Sequence, residues 1–394
     1  MITADEATWD FISRHQDVNV NELALKKKKF TSVNIDFALS QIYGRQKTKL
    51  KLPRLFTFDK IVYPMVQSLE QCSSELTANY KASLLSGNTF CDLSGGFGID
   101  AIAFAQHFAH GIYVEPDHEL CEIFRHNLDI LGICNVEIAE STMEDYLPRL
   151  SSVDLLYLDP SRRDSNGQRV VSFDQCSPNI LQYYSQLKSK TKNLMVKASP
   201  MIDIKRSLAQ LSGTTDVHVI SVRRDCREVL FVVNPQNSGQ LYYHAAYLHT
   251  DKEKDCFSFT MEEELQSELI LCNKVKQYLY EPNSAILKAG AFKLISNRFN
   301  VEKLHVNSHL YTSSEKIDGF PGRRFELIKV YDYSKDGLRN LSQLKYANIA
   351  TRNFPLGSDE LRKKLKLSDG SDDFLYGTTV SSGKKVIIHC RKIS

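Results

Sequence analysis

Long apolar runs are missing from this sequence, in which no stretch approaches the roughly 20 residues that a membrane-spanning helix needs. The first residues, MITADEATWDF, are polar and acidic, unlike the apolar core of a signal peptide. Proline and glycine are few, at 11 and 18 of 394 residues, and neither internal repeats nor low-complexity tracts occur. We therefore expect a globular, cytoplasmic protein without a membrane partner.

The sequence also lacks cysteine pairs at metal-binding spacing. Its nine cysteines are scattered along the chain, and none of them forms a C-x-x-C pair. An odd number of unpaired positions predicts reduced, mostly buried thiols rather than a disulfide framework or a structural zinc site. We expect no metal.

Charge is unevenly distributed although the net charge is only +3. Residues 1–58 hold 10 Lys/Arg against 6 Asp/Glu, and residues 320–394 hold 15 against 8, so the middle of the chain is acidic. Basic ends on an acidic body suggest that the ends meet a polyanion, although a solvated basic surface gives the same pattern.

The length predicts several domains, because one hydrophobic core rarely serves so many residues. Apolar residues recur at three- and four-residue spacing up to residue 86, which indicates helices. Strands then alternate with helices as far as residue 235, and mixed patterns follow. We expect four parts: a helical region at 1–86, an α/β domain at 87–235, and α+β parts at 236–320 and 321–394.

The α/β part reads as a sheet covered on both faces, of the Rossmann-like, doubly wound kind. The last two strands are joined by only RRDCR, too short for a crossover helix, so they should be antiparallel. Seven strands ending in such a hairpin are the variant that class I methyltransferases use. The predicted strands cover residues 89–93, 111–115, 136–139, 153–159, 193–197, 217–222 and 228–234.

A glycine-rich turn follows the first strand in CDLSGGFGIDAIAFA. Gly96 and Gly98 allow the backbone to pass close to a ligand, and the helix that begins next offers free N–H groups. Three interpretations fit this turn: packing between strand and helix, a dinucleotide site, and an S-adenosylmethionine site. Asp92 precedes the glycines, where it would repel a pyrophosphate but attract an ammonium group, which favours S-adenosylmethionine.

Acidic residues also end the second and third strands. Glu115 comes 23 residues after Asp92, where a carboxylate can accept hydrogen bonds from two ribose hydroxyls. Glu140 and Ser141 follow the third strand and either hold an adenine amino group or form a surface turn. The residues predicted to contact the cofactor are Asp92, Ser94, Gly95, Gly96, Gly98, Glu115, Pro116, Glu140 and Ser141.

The fourth strand, rich in leucine, runs directly into Asp159-Pro160-Ser161-Arg162. Ligands of open α/β sheets bind beyond the carboxyl ends of the strands, so Asp159 should face the crevice that Gly96 and Glu115 also face. A carboxylate there can accept the proton of an amine that attacks a methyl group. The alternative is a structural strand cap with local ion pairs. We predict that the catalytic residues are Asp159, Pro160, Ser161 and Arg162.

Several basic residues are candidates for substrate binding. GRQKTKLKLPR holds five cations and no acid, which suggests a phosphate-contacting strip. Arg163 can pair with a phosphate or with a nearby carboxylate. Lys197 ends the fifth strand and either reaches the crevice or extends along the surface to solvent. The predicted substrate-binding residues are Arg45, Lys47, Lys49, Lys51, Arg163 and Lys197.

Six segments together resemble the bacterial class I methyltransferases that end in a THUMP-like domain, and the resemblance covers almost the whole chain. The catalytic core is similar to RNA guanine-amine methyltransferases, except that Ser161 and Arg162 replace a proline and an aromatic residue. The segments are CDLSGGFGIDAIAFA, YVEPDHELCEIFRHNLDILG, YLDPSRRD, VKASPMID, YEPNSAILKAGAF and NIATRNFPL.

The resemblance implies an S-adenosylmethionine-dependent enzyme that methylates an exocyclic base amine in structured RNA, either tRNA or rRNA. It also implies that residues 236–320 are ferredoxin-like, that 321–394 are THUMP-like, and that Ser74 and Glu75 close over the cofactor. Two other functions stay open: an RNA-binding protein with a vestigial cofactor fold, and an NAD-dependent dehydrogenase.

Overall fold

A computed structural model describes residues 4–160, 172–176, 178–236, 239–250, 253–341 and 343–393. The chain forms two compact units. The first comprises Met1–Val217, Glu228–Gly239 and Leu248–Glu253, and the second comprises His218–Arg227, Gln240–Tyr247 and Lys254–Ser394. None of the helices in the described ranges combines the length and the apolar character that a bilayer crossing requires.

The N-terminal region is helical, as predicted. Asp5, Asn19, Asn34 and Ser74 each cap a helix by accepting a hydrogen bond from a backbone N–H of its first turn. The helices are α1 Glu6–His15, α2 Val20–Leu25, α3 Ile35–Thr48, α4 Pro53–Phe56, α5 Val66–Gln71 and α6 Glu75–Ala82.

The segment from residue 61 to 85 has the apolar spacing of one continuous helix, and a single helix is what that spacing predicts, but the segment differs from this prediction. It forms α5 and α6, because Cys72 is extended, with ψ of 159°, and the Ser74 side chain accepts a hydrogen bond from the Thr77 N–H at the start of α6. A serine in that position ends one helix and starts the next. The break matters for the site, since it holds Ser73 against the sheet.

Strands and helices alternate in the α/β part. β1 pairs in parallel with β2 and with β4, and β4 pairs in parallel with β5. The elements are β1 Gly87–Asp92, α7 Ile99–Phe104, β2 Phe108–Glu115, α8 His118–Leu131, β3 Val136–Glu140, α9 Met143–Tyr146, β4 Val153–Leu158, α10 Ile180–Ser189, β5 Thr191–Ala198, α11 Ile204–Gln210, β6 Thr214–Val222 and β7 Asp225–Val233.

The sheet order identifies the fold class. Within the described residues the strands run β3-β2-β1-β4-β5-β7-β6, followed by β8 Tyr242–Leu248 and β9 Lys254–Thr260. β7 is antiparallel to β5, as the short connection predicts. The class I methyltransferase sheet is therefore present, but the predicted seven strands become nine. Backbone groups at an exposed sheet edge can pair with further strands, and β8 and β9 extend the sheet in this way.

A second sheet lies in the second unit. Its strand order, among the residues described, is β11-β12-β10-β13-β16-β15-β14, and β14 is parallel to β15. Phe325, Phe374 and Tyr376 contribute to its apolar core. The elements are α12 Met261–Gln266, β10 Tyr278–Pro282, α13 Ser284–Ala289, α14 Leu294–Phe299, β11 Glu302–Lys303, β12 Tyr311–Ser313, β13 Gly322–Asp332, α15 Lys335–Leu341, β14 Asn348–Arg352, α16 Ser358–Leu365, β15 Asp373–Thr379 and β16 Lys385–Ile393.

Candidate active site

A cavity of about 230 Å³ opens beyond the carboxyl ends of β1, β2 and β4. This volume lies just below the range for small-molecule sites, roughly 300 to 1,000 Å³. Seven residues predicted from the sequence line it: Asp92, Ser94, Gly95, Gly96, Gly98, Glu115 and Asp159. Residues that the sequence did not single out as ligand contacts complete the wall, among them Ser68, Gln71, Cys72, Ser73 and Asp100.

The glycine turn needs its glycines for two different reasons. Gly96 and Gly98 have φ of 55° and 79°, which residues with side chains rarely adopt. A Cβ on Gly98 would lie 2.2 Å from the Phe124 ring, and one on Gly95 would lie 2.5 Å from the Tyr113 ring. A Cβ on Gly96 would meet only the Ser94 carbonyl oxygen, at 3.7 Å. The turn is therefore packed tightly against the sheet but leaves space for a ligand above Gly96.

Glu115 is held in place by backbone amides. Its Oε2 accepts a hydrogen bond from Gly96 N at 2.8 Å, and its Oε1 accepts one from Asp117 N at 3.0 Å. Each carboxylate oxygen can accept a second hydrogen bond. Glu115 is thus pre-oriented at the cavity wall, and its oxygens can still bind hydroxyl donors such as those of a ribose.

Asp92 lies at the end of the central strand and is 1% exposed. Its Oδ1 accepts hydrogen bonds from the backbone N–H of Ser94 at 3.0 Å and from the Ser94 hydroxyl at 3.1 Å. Burial, with the nearby Asp100 and Asp159 carboxylates, raises the pKa of Asp92 to about 7 although these hydrogen bonds lower it. A cationic ligand group would stabilise the ionised form.

Asp159 lies beside Asp92 on the same cavity. Its backbone N–H donates to the Ser94 hydroxyl at 2.7 Å, and its Oδ2 forms an ion pair with the Lys197 ammonium. Pro160, the next residue in the chain, is buried. Ser161, Arg162 and Arg163 lie outside the described residues, so the predictions for them stay predictions.

A buried ionic network supports this corner of the cavity. The Lys81 ammonium, fully buried, lies 3.0 Å from Asp100 Oδ1 and 2.9 Å from Glu228 Oε1. Tyr157 donates its hydroxyl to Asp100 Oδ2 at 2.8 Å. Burial alone would raise the pKa of Asp100, but Lys81 and Lys197 hold it well below its usual range. Asp100 therefore stays ionised at the cavity wall.

Sequence reasoning missed most of this network. Asp100 belongs to the glycine-rich segment but reads there only as the first turn of a helix. Lys81, Glu228 and Ser73 carry no local pattern, since each is defined by partners that are distant in the chain. The one available signal was a lysine at the end of a buried strand, which requires a partner wherever its ammonium cannot reach water.

The prediction that Lys197 contacts the substrate directly needs a correction. It is fully buried, and its ammonium contacts Asp159 and Ser73 inside the protein. An extension to solvent is excluded for the same reason. Ser74 and Glu75 do not line the cavity either: Ser74 caps α6, and Glu75 accepts the Arg54 N–H at 2.8 Å. The preceding residues, Cys72 and Ser73, line it instead.

Three predicted cofactor contacts do not line the cavity. Pro116 follows β2, Glu140 is the last residue of β3, and Ser141 follows it, and none of the three belongs to the cavity wall. Glu140 pairs with His118 Nδ1 at 2.9 Å, and this hydrogen bond raises the pKa of the exposed His118 ring. Glu140 is also opposite Glu115 in the β2/β3 register, so it stands at the same edge of the sheet. Contact of these three residues with an adenine stays a prediction.

The predicted basic strip is divided by the fold. Arg45 is buried, and its guanidinium donates to Phe58 O at 2.9 Å and to Phe56 O at 2.7 Å, so it is a structural residue and the prediction for it is wrong. The Lys51 ammonium donates to Leu69 O at 2.7 Å and thus serves an internal contact. Lys47 and Lys49 are exposed.

S-adenosylmethionine fits the residues that line this cavity. Glu115 offers acceptors for ribose hydroxyls, Asp92 offers a carboxylate for an ammonium, and the space above Gly96 is open. When bound, this cofactor supplies an electrophilic methyl group. The strand order and this donor set define a class I S-adenosylmethionine-dependent methyltransferase.

Comparison with known proteins agrees with that class. A crystal structure from Porphyromonas gingivalis W83, provisionally assigned as a methyltransferase, is 31% identical over 100% of both chains, with a TM-score of 0.89. Residues 278–321 match a ferredoxin-like domain model, and residues 322–392 match a THUMP domain-like model. The chain belongs to the bacterial class I S-adenosylmethionine-dependent methyltransferases that end in a THUMP-like domain.

Other similarities are more distant. An rRNA methylase from Streptococcus thermophilus is 12% identical over 40% of this chain and 93% of its own, with a TM-score of 0.30. A protein from Streptococcus mutans, provisionally assigned as a methyltransferase and solved in complex with SAH, is 11% identical over 41% and 96%, with a TM-score of 0.31. Neither bears on the substrate. No protein with a curated function shows significant sequence similarity to this chain.

Proposed function

We propose that this methyltransferase modifies an exocyclic base amine in structured RNA, either tRNA or rRNA. The observation that carries the proposal is the position of Asp159, whose carboxylate lines the same cavity as Asp92 and Glu115. An amine that attacks a methyl carbon must lose a proton, and a carboxylate at the wall of the cofactor cavity can accept it.

The chain's own residues divide the work at this site. Glu115 binds the ribose hydroxyls of the cofactor and Asp92 binds its ammonium group, and together they orient it. Asp159 receives the proton of the amine nitrogen as the new nitrogen–carbon bond forms. The rate gain comes from alignment of the two reactants together with this proton transfer, without a covalent enzyme intermediate.

RNA as the substrate is supported by the C-terminal part of the chain. Residues 322–392 match the THUMP-like model, and the family resemblance implies that this domain binds RNA. Residues 320–394 carry 15 Lys/Arg against 8 Asp/Glu, a balance that favours a polyanionic partner. The matched region and the basic region coincide.

Transfer of a tritiated methyl group to RNA tests the proposal. Total RNA from a strain that lacks this gene is incubated with labelled S-adenosylmethionine and wild-type protein, Asp159→Asn, or the control Asp129→Asn, an exposed carboxyl on α8. We expect label with wild type and with the control, and at least a 100-fold slower reaction with Asp159→Asn.

Two results would contradict the proposal in different ways. RNA that is bound but never labelled would favour the non-catalytic RNA-binding alternative. Label that appears equally fast with Asp159→Asn would keep the methyltransferase but remove Asp159 as the proton acceptor. Nucleoside mass spectrometry of the labelled RNA then identifies the modified base.

A further inference from the structure

Lys197 stands directly behind the proposed proton acceptor. It is the second-to-last residue of β5, and its side chain is fully buried. Its ammonium pairs with Asp159 Oδ2, and Asp159 in turn lines the cavity with a side chain that is 23% exposed. The lysine therefore contacts the acceptor from the protein side, while the acceptor itself faces the ligand.

The ammonium of Lys197 is fixed by further contacts. It donates to Ser73 Oγ at 3.0 Å and lies 3.7 Å from Asp100 Oδ2. Ser73 donates its own hydroxyl to Asp100 Oδ2 at 2.8 Å and accepts a hydrogen bond from the Lys81 ammonium at 2.7 Å. Ser73 is thus shared by both buried ammonium groups, and a shift of Lys197 would break several charged contacts at once.

The same contacts exclude a role in binding the substrate directly. A side chain with no exposed surface cannot reach an RNA phosphate or base, and its ammonium already has Asp159, Ser73 and Asp100 around it. Any effect of Lys197 on the reaction must therefore pass through the groups that its ammonium contacts, and of these Asp159 is the proposed proton acceptor.

We propose that Lys197 is a positioning residue that holds the Asp159 carboxylate at the cavity wall, in place to accept the proton of the substrate amine. This inference rests on the proposed function, since Asp159 is its proton acceptor. In the transfer, the amine nitrogen forms the bond to the methyl carbon, the bond from that carbon to sulfur breaks, and the amine proton passes to Asp159. Lys197 keeps its own protons throughout.

A double-mutant cycle tests the proposal. Lys197→Met, Asp159→Asn and the double variant are compared for kcat and for affinity toward S-adenosylhomocysteine. We expect Lys197→Met to lower kcat at least 100-fold and to change the affinity less than about threefold. In the Asp159→Asn background the same change should slow the reaction less than about threefold, because its effect requires the acceptor.

Lys192→Met is the matched control. Lys192 lies on the same strand, β5, and pairs with Asp154 of β4 at 2.6 Å, but its side chain is 68% exposed and remote from the cavity residues. It should transfer methyl groups at the wild-type rate. Should Lys197→Met fail to fold, Lys197→Gln is the second variant: its neutral, shorter side chain keeps a polar group among the buried partners but loses the ion pair with Asp159, so a loss of kcat is again expected.

Two results would overturn the proposal: a wild-type kcat in Lys197→Met, or losses that multiply in the double variant. Absence of the proposed RNA methylation is distinguishable, because then wild-type protein itself labels no RNA. In that case a crystal structure of Lys197→Met with S-adenosylhomocysteine decides. We expect the Asp159 carboxylate to leave its place at the cavity wall, and a carboxylate that stays in place would refute the positioning role.

Discussion

Asp92 is the residue whose protonation should control cofactor binding. Its pKa of about 7 means that it is largely neutral below that pH, and a bound ammonium group favours the ionised form. Binding should therefore release a proton below pH 7, and affinity for S-adenosylhomocysteine should rise about tenfold from pH 6 to pH 8. Calorimetry at three pH values, in two buffers of different ionisation enthalpy, measures both quantities.

The control for that experiment is Asp92→Asn, which removes the titrating group. Its affinity should be low and should not change across this pH range. Asp129→Asn on α8 should keep the wild-type pH dependence. An affinity of the wild-type protein that stays flat from pH 6 to pH 8 would show that Asp92 is already ionised without the ligand.

At the scale of single residues, the sequence predicted strand-end acids well and buried partners poorly. Asp92, Glu115 and Asp159 could be placed together because parallel strands end at one edge of a sheet, and the structure brings them to one cavity. Lys81 and Glu228 could not, since their pairing depends on side-chain packing between segments far apart in the chain. The prediction for Arg45 failed for a similar reason: its carbonyl acceptors, Phe56 and Phe58, lie at and just beyond the end of α4.

The glycine turn tests how tightly one element is packed. Gly98→Ala combines a positive φ with an overlap against Phe124 and should destabilise the protein by roughly 2 to 4 kcal/mol. Gly132→Ala is the control, because Gly132 has φ of 66° but open space around it, and should cost only about 1 kcal/mol. Denaturant unfolding gives both values. Equal losses would mean that packing at Gly98 contributes nothing.

The attachment of α6 to the sheet depends on a buried charge. Lys81→Met leaves Asp100 and Glu228 without their shared ammonium and should lower the free energy of unfolding by about 3 to 5 kcal/mol. Lys60→Met removes an exposed pair with Glu6 and should cost at most about 1 kcal/mol. Similar unfolding midpoints for the two variants would contradict a structural role for the buried network.

Elements were predictable where a periodic pattern ran without interruption. All seven predicted strands of the α/β part are present, with ends that differ from the prediction by at most three residues. The break between α5 and α6 was missed, because Ser73-Ser74 allows a helix to continue as well as to restart, and the contacts of Ser73 with the network accompany the restart. The pairing of β8 and β9 with the sheet likewise depends on tertiary contacts, which a local sequence pattern does not show.

For the molecule as a whole, the salt dependence of RNA affinity should distinguish the exposed lysines of the basic strip from the one with an internal hydrogen bond. If exposed Lys47 and Lys49 contact RNA phosphates, replacing both by glutamine should flatten the slope of log affinity against log salt by roughly 0.7 to 0.9 per lost contact. Lys51→Gln should leave the slope unchanged, because its ammonium serves the Leu69 carbonyl. Titration of a mixed tRNA preparation gives the slopes, and identical values for all proteins would make the strip a solvated surface.

At this scale the fold class and the family could be predicted from the sequence, whereas the RNA could not. Strand order follows from the spacing of apolar runs and from one short connection, both of which are local. Substrate choice depends on surfaces assembled from separate segments, including the turn at 161–163, which lies outside the described residues. The division into four parts stays a prediction, and so do the roles of the residues that line the cavity.

The most direct test of the site is calorimetric titration with S-adenosylhomocysteine and with NAD. If Asp92, Glu115 and Asp159 surround a cavity for S-adenosylmethionine, the wild-type protein should bind one S-adenosylhomocysteine per chain and no NAD, and Glu115→Gln should weaken that binding at least tenfold. Tight binding of NAD with no binding of S-adenosylhomocysteine would contradict the assignment of this cavity.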